Sequence, residues 1–330
     1  MIKYRILDTL RENEGKVVSG GELANTLGVS RTAVWKQIVS LQNEGYKIES
    51  VPNKGYRLCA SEVYSAYEIN HRLTTQVIGH PIIFLDEVDS TNTYAKNLGA
   101  SGGKNGTAVV AARQTAGKGR LARKFESPEG CGVYLSILLR PHQLQVSDIN
   151  CITLMTAVVV ADTVEELCGV RPTIKWTNDV YLNGKKLCGI LTECSIEGES
   201  GAVEYAVVGI GTNLGQAADD FPEEIRGIAT SVFQETGVRI ERADYAAALL
   251  KNFERYFYGQ KFPENKASFL EQYRKDLFFL GQEVDVVGMS EQYAAVALDI
   301  DGEGRLLVRT EDGRIKALNS GEISIRMKKR

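Results

Sequence analysis

Asn183-Gly184, set between the apolar runs Val180-Tyr181-Leu182 and Leu187 to Leu191, constrains this chain more than any other feature. Both central residues of a two-residue hairpin loop need φ > 0. Asn-Gly meets that need at the least steric cost, so the pair predicts two antiparallel strands in fixed register. The segment from Lys175 through Trp176, Thr177, Asn178 and Asp179 leads into the first strand, and Lys186 heads the second. A lysine at the head of an apolar strand is either a solvated strand end that blocks edge pairing or an ammonium aimed into a pocket.

A chain of 330 residues, 43% apolar and 25% charged, has the length of two or three domains and the composition of a soluble globular protein. It holds no apolar run long enough to span a membrane. Met1-Ile2-Lys3-Tyr4-Arg5 lacks the apolar core of a signal peptide, and a cytoplasmic protein is expected. None of the six cysteines forms a Cys-x-x-Cys pair, so they read as buried thiols and neither a disulfide frame nor a zinc site. His71, His80 and His142 show neither metal-ligand spacing nor a Ser-His-Asp order, and no metal ligands are assigned.

The first 60 residues carry nine Lys/Arg against six Asp/Glu, a balance of +3 on a chain whose net charge is −3. A basic end on an acidic body suits a polyanionic partner. Ile2, Ile6, Leu7 and Leu10 recur at helical spacing, Gly20-Gly21 breaks the chain, and Glu22 to Leu27 forms a short helix ending at Gly28. Ser30 caps the next helix, whose apolar stripe is Val34, Ile38 and Leu41. This order predicts a helix-turn-helix with Arg31, Thr32, Trp35, Lys36 and Gln37 facing outward, where they bond phosphates or base edges. Residues 46–58 follow as two short strands around Pro52-Asn53-Lys54-Gly55, a wing from which Lys54 and Arg57 reach backbone phosphate or the minor groove. A small protein-interaction module with solvated charges is the alternative. The first domain is expected to end at residue 63.

Between residues 64 and 275, strand-like and helix-like segments alternate, which predicts a mixed sheet in an α+β layer. Strands are expected at Ile82 to Leu85, Thr107 to Ala111, Val133 to Leu139, Arg171 to Trp176, the hairpin, and Tyr205 to Gly211. Helices are expected at Ile149 to Cys168 and Ala243 to Phe257. Ser90-Thr91-Asn92 opens a helix, either as its cap or as short polar groups that bond a neutral ligand at the helix N-terminus. Gln114 to Arg123 contains Gly117-Lys118-Gly119-Arg120 directly after a strand. Two glycines among cations suit anionic oxygens, phosphate above all, although a generic basic loop has the same composition. Val208-Gly209-Ile210-Gly211-Thr212-Asn213 lacks the third glycine of a dinucleotide fingerprint, and its glycines leave room for a flat ligand on the sheet. Residues 276–330 show short alternating strands with turns at Asp301 to Gly304 and Glu311 to Gly313, which predicts a small β-barrel with Arg326 near its end.

Taken together, these motifs resemble the bacterial bifunctional biotin protein ligases that are also biotin operon repressors. Ser90-Thr91-Asn92 is similar to that family's Ser-Thr-Asn, Gly117-Lys118-Gly119-Arg120 to Gly-Arg-Gly-Arg, and Lys175-Trp176-Thr177-Asn178-Asp179 to Lys-Trp-Pro-Asn-Asp. Lys186-Leu187-Cys188-Gly189-Ile190-Leu191 is similar to Lys-Leu-Ala-Gly-Ile-Leu, and Gly209-Ile210-Gly211-Thr212-Asn213 to Gly-Ile-Gly-Ile-Asn. The departures are Lys118 for arginine, Thr177 for proline, and Phe125 where tryptophan is common. The implied architecture is multidomain α+β: a winged helix-turn-helix, a mixed-sheet ligase core and a small SH3-like β-barrel.

The resemblance implies a two-step ligation. Biotin and Mg·ATP give biotinyl-5′-AMP, whose acyl group passes to a lysine of the biotin carboxyl carrier protein. It implies Lys186, Arg120 and Arg123 as the catalytic cations. It assigns biotin to Ser90, Thr91, Asn92, Gln114, Gly117, Lys118, Gly119, Arg120, Lys186, Gly189, Gly209 and Gly211. Arg120, Arg123, Asn178, Asp179, Lys186, Asn213 and Arg326 then serve ATP and the adenylate, with Mg²⁺ arriving on the nucleotide. It further implies operator DNA as a partner, reached through Ser30, Arg31, Thr32, Trp35, Lys36, Gln37, Lys54 and Arg57, and a homodimer formed on adenylate binding. A lipoate or octanoate ligase and a non-catalytic ligand-sensing repressor are the competing readings.

Overall fold

Serine caps start the second and third helices of the first unit, and apolar stripes pack its helices together. A computed structural model of the chain describes residues 2–140, 144–198, 202–288, 292–319 and 324–327, with the backbone alone described for residues 122 and 324–327. One compact unit ends at His71 and a second begins at Arg72. In the first, α1 (Ile2–Glu12), α2 (Gly20–Leu27) and α3 (Arg31–Asn43) bury Ile6, Leu7, Leu10, Leu23, Val34, Ile38 and Leu41 against one another. Ser19 Oγ accepts from the Glu22 amide at 3.0 Å and Ser30 Oγ from the Ala33 amide at 3.1 Å, satisfying donors that a helix start leaves free. Gly28, at φ 67°, closes α2. Gly20 and Gly21, expected to break the chain, lie in the first turn of α2, because the Ser19 cap starts the helix before them.

An antiparallel hairpin follows, β1 (Ile48–Val51) with β2 (Gly55–Leu58), and sets Glu49 opposite Arg57. Helix α4 (Ala66–Arg72) brings the Tyr67 ring onto Tyr4 at 4.1 Å between centroids. The same helix supplies the buried carboxylate of Glu68, which accepts from the Tyr46 hydroxyl at 2.6 Å and pairs with Arg11.

The second unit is built on a seven-stranded sheet in the order β3-β4-β5-β9-β8-β7-β6. Its strands are β3 (Ile82–Val88), β4 (Ala108–Gln114), β5 (Gly132–Leu139), β6 (Thr173–Lys175), β7 (Asp179–Leu182), β8 (Lys185–Ile196) and β9 (Val203–Asn213). Only β3 and β4 run parallel, so the sheet is mixed, as the sequence pattern predicts. Helix α5 (Thr91–Ala100) packs on one face through Ala95, against Val109, Leu138 and Val207. On the other face lie α6 (Asp148–Cys168), α8 (Arg242–Glu254) and α9 (Ala267–Asp276), with the short α7 (Val232–Thr236) preceding α8. Two bonds mark that second face: Thr153 of α6 to Thr192 of β8, and Tyr245 of α8 to Thr212 of β9. The segment expected as a helix to Phe257 leaves α-geometry at Glu254 and passes through a wider turn over Arg255–Gly259.

The C-terminal strands β10 (Glu283–Val287), β11 (Gln292–Ile300), β12 (Leu306–Thr310), β13 (Ile315–Leu318) and β14 (Ser324–Met327) form an antiparallel sheet in the order β13-β12-β11-β10-β14. The described pairings leave β13 and β14 as open edges where a closed barrel was expected. The β11–β12 turn rests on the core: the Trp176 indole N–H donates to the Gly304 carbonyl at 3.1 Å. The six cysteines are free; Cys151 and Cys188 are buried, whereas the other four are only half-buried. Among the described residues, no helix is long and apolar enough to cross a membrane.

Candidate active site and nucleic-acid interface

Register decides where the cavity forms. In an antiparallel sheet, residues directly opposite each other share a face. Gly189 stands opposite Gly211, Leu191 opposite Gly209, Ser136 opposite Gly209, and Asp179 opposite Gly189. Three glycines therefore fall on one patch of the α5 face, and the absence of side chains there leaves a floor. Above it is a cavity of about 430 Å³ lined by residues of every segment singled out between Ser90 and Asn213. The Phe125 ring lies across this floor: a Cβ on Gly211 would come within 2.5 Å of it and one on Gly189 within 3.2 Å.

The hairpin turn is as expected, with Asn183 at φ 48° and Gly184 at φ 77°. Beyond it lies a feature the pattern does not reveal. Tyr181 pairs with Lys186, but Val180 pairs with Cys188, so Leu187 is an extra residue in β8. Strict alternation back from Gly189 would send Lys186 to the α6 face. The bulge reverses this and sets Lys186 on the cavity face with Tyr181, the re-aiming for which β-bulges are used. Lys186 Nζ lies 2.6 Å from Asp179 Oδ1. Its backbone is held as well: Lys186 N donates to Ile228 O at 2.8 Å, and Thr230 N donates to Lys186 O at 2.9 Å. Phe221, Ile225, Ile228 and Ala229 of that strap line the cavity, and sequence reasoning missed them.

Arg120 converges on the same place. Its Nη1 donates to Thr177 Oγ1 at 2.6 Å and to Asn178 Oδ1 at 3.2 Å. Burial depresses the guanidinium pKa, and the nearby Asp179 charge opposes that shift. Asn178 is fixed in turn by donating to the Ile190 carbonyl at 2.9 Å. Arg123 is exposed and lines the cavity. The basic loop folds back on itself through Gly119 N to Arg123 O at 2.7 Å and Phe125 N to Gly117 O at 2.9 Å. Gly117 has no room for a side chain, because a Cβ would come within 2.4 Å of the Phe125 carbonyl oxygen. Lys118 Nζ donates to Thr93 Oγ1 at 2.8 Å.

Ser90 occupies the N-cap of α5, but its side chain makes no cap bond, which removes the capping alternative. The Thr91 amide and hydroxyl both donate to Gln114 Oε1, at 2.8 and 3.1 Å, and Gln114 Nε2 donates to Ser127 Oγ at 2.8 Å. Asn92 Nδ2 donates to the Leu191 carbonyl at 3.1 Å and to Glu193 Oε2 at 3.0 Å, while Asn92 Oδ1 accepts from Ser136 at 2.6 Å. The Asn92 amide is thus engaged by protein on both sides. Ser127, Ser136 and Glu193 are partners that no local motif announced; the one available signal was a serine inside the apolar run Val133 to Leu139. Asn213 lines the cavity with its amide committed to Thr230 O and Gln216. The Arg326 side chain lies outside the described residues. Among the described residues, no group of three or more His, Cys, Asp or Glu side chains is placed to hold a metal ion.

In the first unit, α3 exposes Thr32, Trp35 and Lys36, with Gln37 half-buried; Trp35 is 54% exposed. Arg31 is exposed, and its guanidinium lies over Gly21, where a Cβ would come within 2.7 Å of Nη2. Ser30 is spent on the cap. Lys54 is exposed at the hairpin tip, whereas Arg57 donates to Glu49 across the strands at 2.6 Å.

Comparison with known proteins gives three family matches: an HTH domain over residues 3–57, the biotin/lipoate A/B protein ligase family over 84–213, and the biotin protein ligase C-terminal domain over 279–326. The chain is similar to the bifunctional ligase/repressor BirA of Bacillus spizizenii, at 36% identity over 98% of both chains. It is similar to the protein of the same name from Escherichia coli K12, at 33% identity over 94% of both. Among solved structures it resembles a biotin protein ligase from Aquifex aeolicus in complex with biotin and ATP, at 34% identity and a TM-score of 0.64. That match covers 74% of this chain and 98% of the other.

Proposed function

We propose, from the premise that this chain belongs to the family of bifunctional biotin protein ligases and repressors, that it joins biotin to a carrier-protein lysine and represses transcription in response to the intermediate. The observation that carries the catalytic reading is the convergence of Lys186, Arg120 and Asn178 over a glycine floor. In the first step a biotin carboxylate oxygen attacks the α-phosphorus of Mg·ATP, a P–O bond forms, and pyrophosphate leaves. In the second, the neutral ε-amine of the acceptor lysine attacks the acyl carbon, AMP leaves with the C–O bonding pair, and the amine proton passes to solvent.

Negative charge builds on phosphate and carbonyl oxygens in both steps, so fixed cations serve better than a general base. Lys186 exchanges its Asp179 partner for the carboxylate and α-phosphate oxygens. Arg120 and Arg123 hold the phosphate and keep water from the anhydride. Ser90, Thr91 and Gln114 bond the ureido end, with Asn92 setting their geometry, and Gly189, Gly209 and Gly211 admit the flat ring system when the Phe125 ring swings off the floor. Lys118 with Gly117 and Gly119, Asn178 and Asp179, and Asn213 complete the loop and nucleotide sides, and Arg326 reaches the adenylate. Residues 1–63, 64–275 and 276–330 act as reader, ligase and a terminal SH3-like sheet.

In the reader, α3 enters the major groove, and the β1–β2 hairpin is the wing that follows the phosphate backbone. Adenylate binding favours a homodimer that spans two operator half-sites in the cytoplasm. Calorimetric titration with biotin, then with biotin and Mg·ATP, tests the catalytic reading. One pyrophosphate per chain supports it; neither heat nor pyrophosphate refutes it, and heat with lipoate or octanoate instead would transfer the reading to those acids. Unchanged dimerisation and operator affinity on adding adenylate would refute the repressor reading.

A further inference from the structure

Resting on the ligase reading above, we infer that Thr177 is a positioning residue for Arg120, so that this chain holds its phosphate cation by a hydroxyl that the family's Lys-Trp-Pro-Asn-Asp motif lacks. Thr177 is 1% exposed, and its Oγ1 accepts from Arg120 Nη1 at 2.6 Å, closer than the 3.2 Å to Asn178 Oδ1. The acceptor is itself immobilised. The Thr177 carbonyl accepts from the buried Tyr273 hydroxyl of α9 at 3.1 Å, and the next residue, Asn178, is tied to Ile190. Thr177 therefore sits on a framework anchored in the helical layer, not on the basic loop that it restrains.

The chemistry suits positioning. A guanidinium has five N–H donors in a rigid plane, and the two bonds to Thr177 and Asn178 occupy one end of it. Among the described residues, Nε and Nη2 have no protein acceptor, which leaves that edge for an anion. Holding Nη1 fixes the plane of the fork before the phosphate arrives, and a donor ordered in advance loses less freedom on binding. A proline at this position offers no hydroxyl, so a loop arginine facing it would keep only the longer Asn178 contact.

The test compares the full-length chain with T177V, which keeps the shape and removes the hydroxyl, and with T177S, which restores it. Biotin binding without ATP, measured by calorimetry, is expected to stay within about twofold of the parent. The dissociation rate of biotinyl-AMP, read by trapping released adenylate, is expected to rise about tenfold in T177V, the scale of a lost hydrogen bond to a charged group. The KM for ATP rises while kcat falls little, and T177S returns both values toward the parent. If T177V does not fold, T177A removes the same hydroxyl and carries the same comparison. Unchanged adenylate retention without the hydroxyl, or T177S as leaky as T177V, overturns the inference. A parent chain that releases no pyrophosphate from biotin and Mg·ATP overturns the ligase reading instead.

Discussion

Gly209→Ala tests the argument that the cavity floor must be bare and that Asn92 is locked above it. A Cβ at residue 209 would stand 2.0 Å from Asn92 Oδ1, far inside contact distance, so one of them has to move. The strand cannot, because β9 is paired on both sides, with β5 and β8. Asn92 must yield, and its bonds to Leu191, Glu193 and Ser136 go with it. Three hydrogen bonds, one buried and two part-buried, at about 0.5–1.5 kcal/mol each put the loss at about 1.5–4.5 kcal/mol.

The two tryptophans make the measurement clean, since Trp35 lies in the first unit and Trp176 in the second. In a Trp35→Phe background, urea unfolding followed by fluorescence reports the catalytic unit alone. The decisive experiment is the double-mutant cycle with Asn92→Ala. Once Asn92 is truncated, the methyl group at 209 meets no amide, so Gly209→Ala should then cost well under 1 kcal/mol, a coupling of about 2 kcal/mol or more. Additive effects of the two substitutions would refute the reasoning, because they would mean that the methyl group acts without displacing Asn92.

Lys186→Ala should slow adenylation by about 10²-fold or more, the scale of a lost transition-state cation; a near-parental pyrophosphate rate would remove it from the chemistry. In operator binding, Lys36→Ala and Lys54→Ala should each lower the slope of log K against log salt by about one, and Arg57→Ala by less, since Arg57 is already paired with Glu49. Equal slope losses for Arg57 and Lys36 would contradict that ranking. Burial opposes ionisation of Glu193, but bonds from Lys96 and Asn92 outweigh it and hold its carboxyl below the ordinary 4.5. A lowered pKa contributes stability above the unfolded value, and that stability is lost as pH falls through the folded one. Glu193→Gln should therefore be less stable than the parent at neutral pH, with the gap closing as pH drops through 4.5 and below. A gap constant with pH would contradict this.

Much of the site was legible because it is local. Asn183-Gly184 announces its turn chemically, Ser30 its cap, and the glycines their lack of side chains. What was not legible depends on register and on distance along the chain. The extra residue at Leu187 leaves no mark in an apolar run, yet it decides which face Lys186 occupies. Thr177 stood out only as a departure from a motif, because its value depends on an arginine 57 residues earlier in the chain. Ser90 looked like a cap by residue type, but its hydroxyl makes no cap bond. The barrel expectation rested on alternation, which reports strands but not whether a sheet closes. The double glycine at 20 and 21 was misread because composition weighs a glycine's propensity and overlooks the cap in front of it.

The contact between Trp176 and the turn at Gly304 bears on how such chains can be recombined. A Cβ at 304 would come within 2.8 Å of Asn150 Nδ2 and 2.9 Å of the Leu154 side chain, and Gly304 has φ 77°. The turn is therefore keyed to the core by a residue type as well as by a bond. A chimera that takes its terminal sheet from a relative must import a glycine at this corner and deliver the carbonyl to the same indole. Truncation before the sheet would uncover the indole and return its N–H to water, losing the bond to Gly304 at a net of about 0.5–1.5 kcal/mol. That loss would fall next to the residues that hold Arg120, so domain shuffling at this joint should be read first as slower adenylation and only then as lost stability.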